Sequence, residues 1–170
     1  MTDVERAAAA SAIAVAVHAE LDRLATGAVV ALYAAKGSEV PTEAIDAAAR
    51  ERGLVVVYPR VTDGERVLSF AAVERSSLVT AKYGLLEPRA GEPVIALGEI
   101  AMFVVPGVAF DRDGYRVGWG RGHYDATLAV APRGRRIALA FECQIVESVE
   151  HEAHDAPMHA IITEVATHVV

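Results

Sequence analysis

Short apolar runs alternate with helix-type segments along the 170-residue chain, and this alternation constrains the fold more than any other feature. Runs that are apolar at nearly every position are typical of strands buried on both faces of a parallel sheet. The runs occupy residues 28–33, 54–58, 100–105, 136–141 and 160–163, with a weaker candidate at 67–72. Helical spacing or helix boundary signals mark residues 4–26, 43–52 and 123–130. This order predicts one three-layer α/β/α domain over residues 1–170, Rossmann-like, with a mostly parallel sheet.

Composition narrows the classes of partner. Hydrophobic residues make up 53% of the chain, and 23 acidic against 16 basic residues give a net charge of -7. A binder of the nucleic-acid backbone needs surplus Lys and Arg, so we expect no nucleic acid partner. The sequence lacks an apolar run of the roughly 18 residues that a membrane span requires, and the start of the chain does not resemble a signal peptide. We therefore expect a monomeric cytoplasmic protein whose partners are small molecules.

The chain has one cysteine, Cys143, which excludes an intrachain disulfide. It lies just beyond the apolar run at residues 136–141. Because free cysteine is usually a small core residue, we expect the Cys143 thiol to be buried.

Ligands of open α/β sheets bind beyond the carboxyl ends of the strands, which directs attention to the loops. Three loops qualify: those that follow Tyr33 and Val105, and the one that precedes Ala160. The second of them leads to the most informative stretch, the glycine-rich turn of residues 116–124, which is followed by Asp125 at the start of a predicted helix.

The glycine-rich turn has the chemistry of a phosphate site. Glycines at alternate positions let backbone N–H groups approach a ligand without obstruction by Cβ. The helix N-terminus adds roughly half a positive charge, and Arg116 and Arg121 add forked donors suited to phosphate oxygens. The spacing fits neither a Walker A loop nor the dinucleotide fingerprint. From the residues alone, a phosphate cradle and an ordinary strand-to-helix turn both stay open.

A longer pattern resembles a known family. Residues 105–111, Gly114 and residues 116–125 together resemble the signature of the 5-formyltetrahydrofolate cyclo-ligases, also called 5,10-methenyltetrahydrofolate synthetases. Further similar positions follow in the family's order, and they are Tyr33, Glu39 and residues 58–61, 83–88, 141–144 and 154–155. The resemblance extends over nearly the whole chain, from about residue 5 to residue 164.

The resemblance implies roles for individual residues. The phosphates of ATP would bind to the whole glycine-rich turn, which consists of Arg116, Val117, Gly118, Trp119, Gly120, Arg121, Gly122, His123 and Tyr124. The folate would bind to a set that partly overlaps it, Ala34, Glu39, Tyr83, Arg121, His123 and Tyr124. Arg121 and Tyr124 would be the catalytic residues, and Asp125 and Asp155 would hold Mg²⁺.

The implied reaction is the ATP- and Mg²⁺-dependent cyclisation of 5-formyltetrahydrofolate to 5,10-methenyltetrahydrofolate through a phosphorylated formyl group. Three departures from the family's pattern accompany it. Residues 1–170 show no equivalent of the Lys and Arg that relatives carry on a preceding helix, His159 stands where an aspartate is usual, and His123 replaces a tyrosine. A second hypothesis is therefore a non-catalytic or altered paralogue that binds folate or nucleotide without turnover.

Overall fold

The structure, a computed structural model, describes residues 1–152 and 155–170. Its α-helices are α1 (Asp3–Leu21), α2 (Glu43–Glu51) and α3 (His123–Val130). Its strands are β1 (Val29–Ala31), β2 (Val55–Arg60), β3 (Ser69–Ala72), β4 (Val79–Thr80), β5 (Leu86–Glu87), β6 (Val94–Ile95), β7 (Ile100–Val105), β8 (Ala109–Phe110), β9 (Arg116–Val117), β10 (Arg135–Leu139), β11 (Ala160–Ile162) and β12 (Thr167–Val169). Single 3₁₀ turns lie at Arg75–Ser77, Lys82–Gly84, Leu97–Glu99 and Glu142–Gln144.

Within the described residues, eight strands form one sheet in the order β12-β11-β10-β7-β1-β2-β3-β6. The five inner strands from β11 to β2 are mutually parallel, whereas β12, β3 and β6 pair antiparallel at the two edges. The predicted α/β fold with a mostly parallel sheet is therefore confirmed. The runs predicted to be adjacent buried strands form β1, β2 and β7, with β1 between the other two.

Both faces of the sheet are apolar because helices cover both. Along β7, Met102 and Val104 pack into a core that contains α1 and α2, whereas Phe103 and Val105 pack into a second core that contains Leu128 of α3. Successive side chains of a strand point to opposite faces, so only a run without alternation can fill two cores. This accounts for the continuous apolar runs of the sequence.

Helix α1 differs from the prediction in length. Thr2 caps its N-terminus, since the Thr2 Oγ1 atom accepts the N–H of Glu5 and the Glu5 carboxylate accepts the N–H of Thr2. The helix ends at Leu21 rather than near residue 26. The intervening residues form a turn that reaches Gly27, whose φ of 84° lies in the left-handed region that only glycine adopts freely.

The prediction that Cys143 is buried is wrong: it lies in the Glu142–Gln144 turn and is exposed, because the chain leaves the sheet after Leu139.

None of the helices in the described part of the chain has the length and apolar character that crossing a membrane demands.

Candidate active site

A cavity of about 590 Å³ lies beyond the carboxyl ends of β1, β2 and β7. Five stretches of chain form its walls: the loop after β1, the segment from β2 to β3, the β5 region, Pro106 directly after β7, and the glycine-rich turn with the start of α3. The lining residues are Tyr33, Ala34, Lys36, Gly37, Glu39, Pro59, Val61, Leu68, Leu85, Leu86, Glu87, Pro106, Arg116, Val117, Gly118, Trp119, Gly120, Arg121, Gly122, His123, Tyr124 and Asp125.

The structure brings most of the predicted site residues together. All nine residues of the glycine-rich turn line this cavity, and so do Ala34, Glu39 and Asp125. Asp155 is not among the described residues that line it. The side chain of Tyr83 and the residue His154 lie outside what the structure describes.

Two glycines shape the turn into helix α3. Gly120 and Gly122 have φ angles of 78° and 65°, in the region that residues with a Cβ rarely adopt. Gly122 is the N-cap of α3, and no side chain caps the helix there. The first N–H groups of α3 therefore begin at the wall of the cavity with their positive dipole end, which is the arrangement that binds anions.

Glu39 is a buried carboxylate held by donors from two different loops. Its Oε2 atom accepts the N–H of Lys36 at 2.7 Å, and its Oε1 atom accepts the indole N–H of Trp119 at 2.9 Å. Trp119 is otherwise 64% exposed. The contact joins residues 80 positions apart, so the glycine-rich turn and the loop after β1 meet across the cavity.

The loop that carries Glu39 is fixed from three sides. The Tyr33 hydroxyl donates to the carbonyl of Val40 at 2.8 Å, and the Thr42 hydroxyl donates to the carbonyl of Tyr33 at 2.6 Å. Arg6, on helix α1, donates to the carbonyl oxygens of Gly37 and Glu39. Burial raises the pKa of Tyr33, so its hydroxyl remains a donor at neutral pH.

Arg116 and Asp125 form an ion pair between the two ends of the turn. The distance from Arg116 Nη2 to Asp125 Oδ1 is 2.6 Å, and the two side chains are 4% and 25% exposed. Burial lowers the pKa of Arg116, while Asp125 and, less strongly, Asp155 favour its charged form. The sequence did not predict this ion pair, because the two residues are nine positions apart and the path of the turn decides whether they meet. The pair holds the start of α3 against β9.

The described residues of the cavity offer few ligands for a divalent cation. Among residues 1–152 and 155–170, no group of three or more His, Cys, Asp or Glu side chains could hold a metal ion. Mg²⁺ is commonly bound by one or two carboxylates together with phosphate oxygens and water. Asp125 suits that mode, since it lines the cavity and its Oδ2 atom is not engaged in the pair with Arg116.

Tyr124 and His123 present defined hydrogen-bonding groups to the cavity. Burial, assisted by the nearby Glu39 carboxylate, raises the pKa of Tyr124, so its phenol stays protonated. The Arg116 guanidinium lies 5.7 Å from the centre of the Tyr124 ring, within the range of a cation–π contact. His123 Nδ1 lies 2.9 Å from the carbonyl oxygen of Arg66, which can only accept. In the neutral ring Nδ1 therefore carries the proton, which leaves Nε2 as an acceptor.

Sequence reasoning missed two charged residues that line the cavity, Lys36 and Glu87, and the carboxylate of Glu87 is the more deeply buried. Glu87 is only 6% exposed, and its Oε2 atom accepts the N–H of Val61 at 3.3 Å. Burial raises the pKa of Glu87, with the hydrogen bond from Val61 acting in the opposite direction. The only sequence signal was its place in residues 83–88, which resemble a family loop without marking this carboxylate.

We expect Glu87→Gln to stabilise the ligand-free protein at pH 7. A raised pKa means that the folded state binds the proton more tightly than the unfolded chain, so stability falls as pH rises from the ordinary Glu pKa through the raised one. Gln mimics the protonated acid and should gain on the order of 1 kcal/mol at pH 7. Urea unfolding at pH 4 and pH 7 measures this difference. An equal gain at both pH values would show that ionisation of Glu87 is not the cause.

The fold and the cavity together define an α/β protein with a candidate small-molecule site at the carboxyl ends of its parallel strands. The family model described as the 5-formyltetrahydrofolate cyclo-ligase family matches residues 1–164. The chain belongs to this family, as its resemblance predicted, and the family is one of enzymes.

Curated relatives carry the same name. A 5-formyltetrahydrofolate cyclo-ligase of Mycolicibacterium smegmatis is 31% identical over 144 residues, which are 81% of this chain and 74% of the relative. The Escherichia coli K12 protein of that name is 34% identical over 92 residues, covering 52% of this chain and 50% of the relative. A mouse cyclo-ligase is 25% identical over 147 residues, with coverage of 79% and 72%.

Solved structures agree in fold. A 5,10-methenyltetrahydrofolate synthetase of Mycoplasma pneumoniae superposes with a TM-score of 0.78 over 96% of this chain and 90% of its own, at 22% identity. One from Aquifex aeolicus gives a TM-score of 0.81, with coverage of 99% and 84%, at 22% identity.

Proposed function

We propose that the protein converts 5-formyltetrahydrofolate to 5,10-methenyltetrahydrofolate with ATP, releasing ADP and phosphate. The observation that carries this proposal is the meeting of two different subsites in one cavity. A glycine-rich helix N-terminus suited to phosphate and a buried carboxylate suited to a pterin are joined by the hydrogen bond from Trp119 to Glu39. The family membership and the names of the relatives support the same substrates.

The glycine-rich turn would hold the phosphates of ATP. Its backbone N–H groups and the N-terminus of α3 are donors that do not have to be ionised. Arg121 is exposed on the turn and would supply the positive charge. Arg116 is too deeply buried to serve as a freely moving cation, so its main task would be to hold Asp125 in place.

The folate would lie against the loop after β1. The pterin carries adjacent N–H donors, and a fixed carboxylate such as Glu39 accepts two of them in one plane. Tyr124 offers a protonated phenol and a flat face for stacking. The folate-binding set that the family resemblance implies is completed by Ala34, Tyr83, Arg121 and His123.

In the proposed reaction the formyl oxygen attacks the γ-phosphate of ATP, and the bond from that phosphorus to the ADP oxygen breaks. N10 then attacks the activated carbon and loses its proton. The phosphorylated oxygen departs as phosphate, which leaves the five-membered methenyl ring. The residues of the cavity would contribute mainly by positioning both substrates and by neutralising charge, as in other phosphoryl transfers.

Asp125 and Asp155 would hold Mg²⁺ together with phosphate oxygens. When bound, the ion would neutralise charge that develops on the transferred phosphoryl group. Both carboxylates favour the charged form of Arg116, so both act on the same end of the turn. Asp125 has the better support of the two, because it lines the cavity.

The test is an absorbance assay for methenyl-folate formation from 5-formyltetrahydrofolate, with ATP and Mg²⁺ present and with each left out in turn. The proposal expects product only in the complete mixture, with one ADP released for each methenyl group. Calorimetry with each substrate accompanies the assay. Binding of both substrates without product would overturn the proposal in favour of a paralogue that binds without turnover.

We expect Arg121→Ala to weaken ATP binding by tenfold or more, and to weaken folate binding by a smaller factor. A charge-assisted hydrogen bond contributes about 1.5–3 kcal/mol, and tenfold corresponds to about 1.4 kcal/mol. Calorimetry with ATP and with 5-formyltetrahydrofolate measures both constants. Arg89→Ala, an exposed arginine that does not line the cavity, is the matched control. Equal ATP affinity in the two variants would contradict the assignment.

A further inference from the structure

A second cavity, of about 300 Å³, lies at the amino ends of the parallel strands. The candidate active site lies at their carboxyl ends. The second cavity is formed where β10 and β11 begin and where the chain leaves α3. The lining residues are Phe103, Leu128, Ala131, Pro132, Arg133, Gly134, Arg136 and His159. The titratable groups among them are two arginines and a histidine, with no carboxylate among the described lining residues.

The hydrogen bonds of His159 fix the position of its proton. Its Nδ1 atom accepts the backbone N–H of Arg136 at 2.9 Å, so Nδ1 carries no proton. The proton of the neutral ring must then be on Nε2. This atom lies 3.4 Å from Nη2 of Arg136, which is also a donor. Two N–H donors therefore lie side by side, and neither can accept from the other.

The charge of Arg136 is uncompensated within the described residues. Its Nε atom is buried and has no hydrogen-bond partner there, and no carboxylate pairs with its guanidinium. The neighbouring Arg135 provides the contrast, since its Nε atom lies 2.6 Å from a carboxylate oxygen of Glu20. Burial lowers the pKa of Arg136, and burial together with Arg136 lowers the pKa of His159. A guanidinium without a counter-charge and two adjacent donors without a shared acceptor are costly, and an anion between those donors would offset that cost.

We propose that this second cavity binds a phosphate group, one oxygen of which accepts hydrogen bonds from both Arg136 Nη2 and His159 Nε2. Arg133 is exposed at the mouth of the cavity and adds a further cation. The cavity holds roughly ten times the 30 Å³ that one water occupies in the liquid, which leaves room for a phosphate and its hydration. This site is separate from the proposed catalytic function and does not depend on it.

The test is an NMR titration of the full chain with inorganic phosphate at constant ionic strength, with chloride as the reference salt. The imidazole resonances of His159 are followed, and an Arg121→Ala background suppresses binding at the active site. We expect saturable shifts of His159 with phosphate and none with chloride. A parallel titration with glycerol 3-phosphate shows whether the site takes a free phosphate or an esterified one. Absence of a His159 response to both phosphates would overturn the proposal.

Substitutions of the two arginines test whether they bind the phosphate. We expect Arg136→Gln to weaken phosphate binding by about tenfold or more, since it removes a charged donor. Arg133→Gln should weaken binding by about threefold, and its exposed position protects it from folding defects. Arg112→Gln, an exposed arginine outside the cavity, should leave the affinity unchanged. Phosphate binding that is insensitive to both Arg136→Gln and Arg133→Gln would contradict the site.

Discussion

Glu39→Gln should lower the affinity for 5-formyltetrahydrofolate by about ten- to a hundredfold while changing the affinity for ATP by less than about threefold. The carboxylate is buried and accepts the N–H groups of Lys36 and Trp119, so its two oxygens have fixed directions. The carboxamide replaces one acceptor with a donor, and a lost charge-assisted hydrogen bond costs about 1.5–3 kcal/mol. Calorimetry with each substrate separately measures both affinities.

Trp119→Phe is the control for this prediction. It removes the indole donor from Glu39 and keeps the carboxylate. If the folate uses the Oε1 atom that Trp119 occupies, Trp119→Phe should bind folate as tightly as the parent chain or more tightly. Equal folate affinity for Glu39→Gln and the parent chain would show that this carboxylate serves only to hold the loop. In that case its contacts with Lys36 and Trp119 would be its whole role.

Asp125→Asn should remove most of the turnover, by a hundredfold or more. Asp125 would contribute a negatively charged oxygen to Mg²⁺, and the carboxamide is a poor replacement for it. The substitution also removes the counter-charge of Arg116, whose side chain is 4% exposed, so we expect a stability loss of up to about 3 kcal/mol. Turnover is measured well below the unfolding temperature, and Mn²⁺ binding in the presence of ATP is followed by electron paramagnetic resonance.

The matched control is Asp46→Asn. Asp46 also forms a largely buried ion pair, with Arg50 at 3.1 Å, but it lies on α2 and does not line the cavity. The Asp46→Asn variant should be less stable than the parent protein but should keep its turnover and its Mn²⁺ binding. If Asp125→Asn behaved like Asp46→Asn, with stability reduced and metal binding intact, Asp125 would be only the ion-pair partner of Arg116.

The parts of the fold that could be predicted are those in which the sequence repeats one physical requirement along a whole element. Strands β7 and β1 are apolar at every position because both of their faces pack into a core, and β2 is apolar except at Arg60. The short strands β4, β5, β6, β8 and β9 have two residues each, too few to show a period. Cys143 was placed incorrectly because an apolar run does not show where the chain turns away from the core.

The candidate site was predictable where its chemistry is contiguous in sequence. The glycine-rich turn and Asp125 form one stretch, and the helix α3 begins where that stretch predicted, at His123. Contacts between segments that are distant in the sequence could not be predicted from it. Those contacts include the bond from Trp119 to Glu39 and the burial of Glu87, both of which depend on how loops from different strands meet.

The position of Trp119 has a practical consequence. It is the only tryptophan of the chain, so the intrinsic fluorescence excited in the indole band comes from a single place. That place is the contact between the glycine-rich turn and the Glu39 loop, where the indole N–H is bound to a carboxylate. A ligand that bound Glu39 in place of the indole N–H would break this hydrogen bond and alter the emission of Trp119. The unmodified protein thus carries its own optical reporter, suited to stopped-flow measurement of the order in which its ligands arrive.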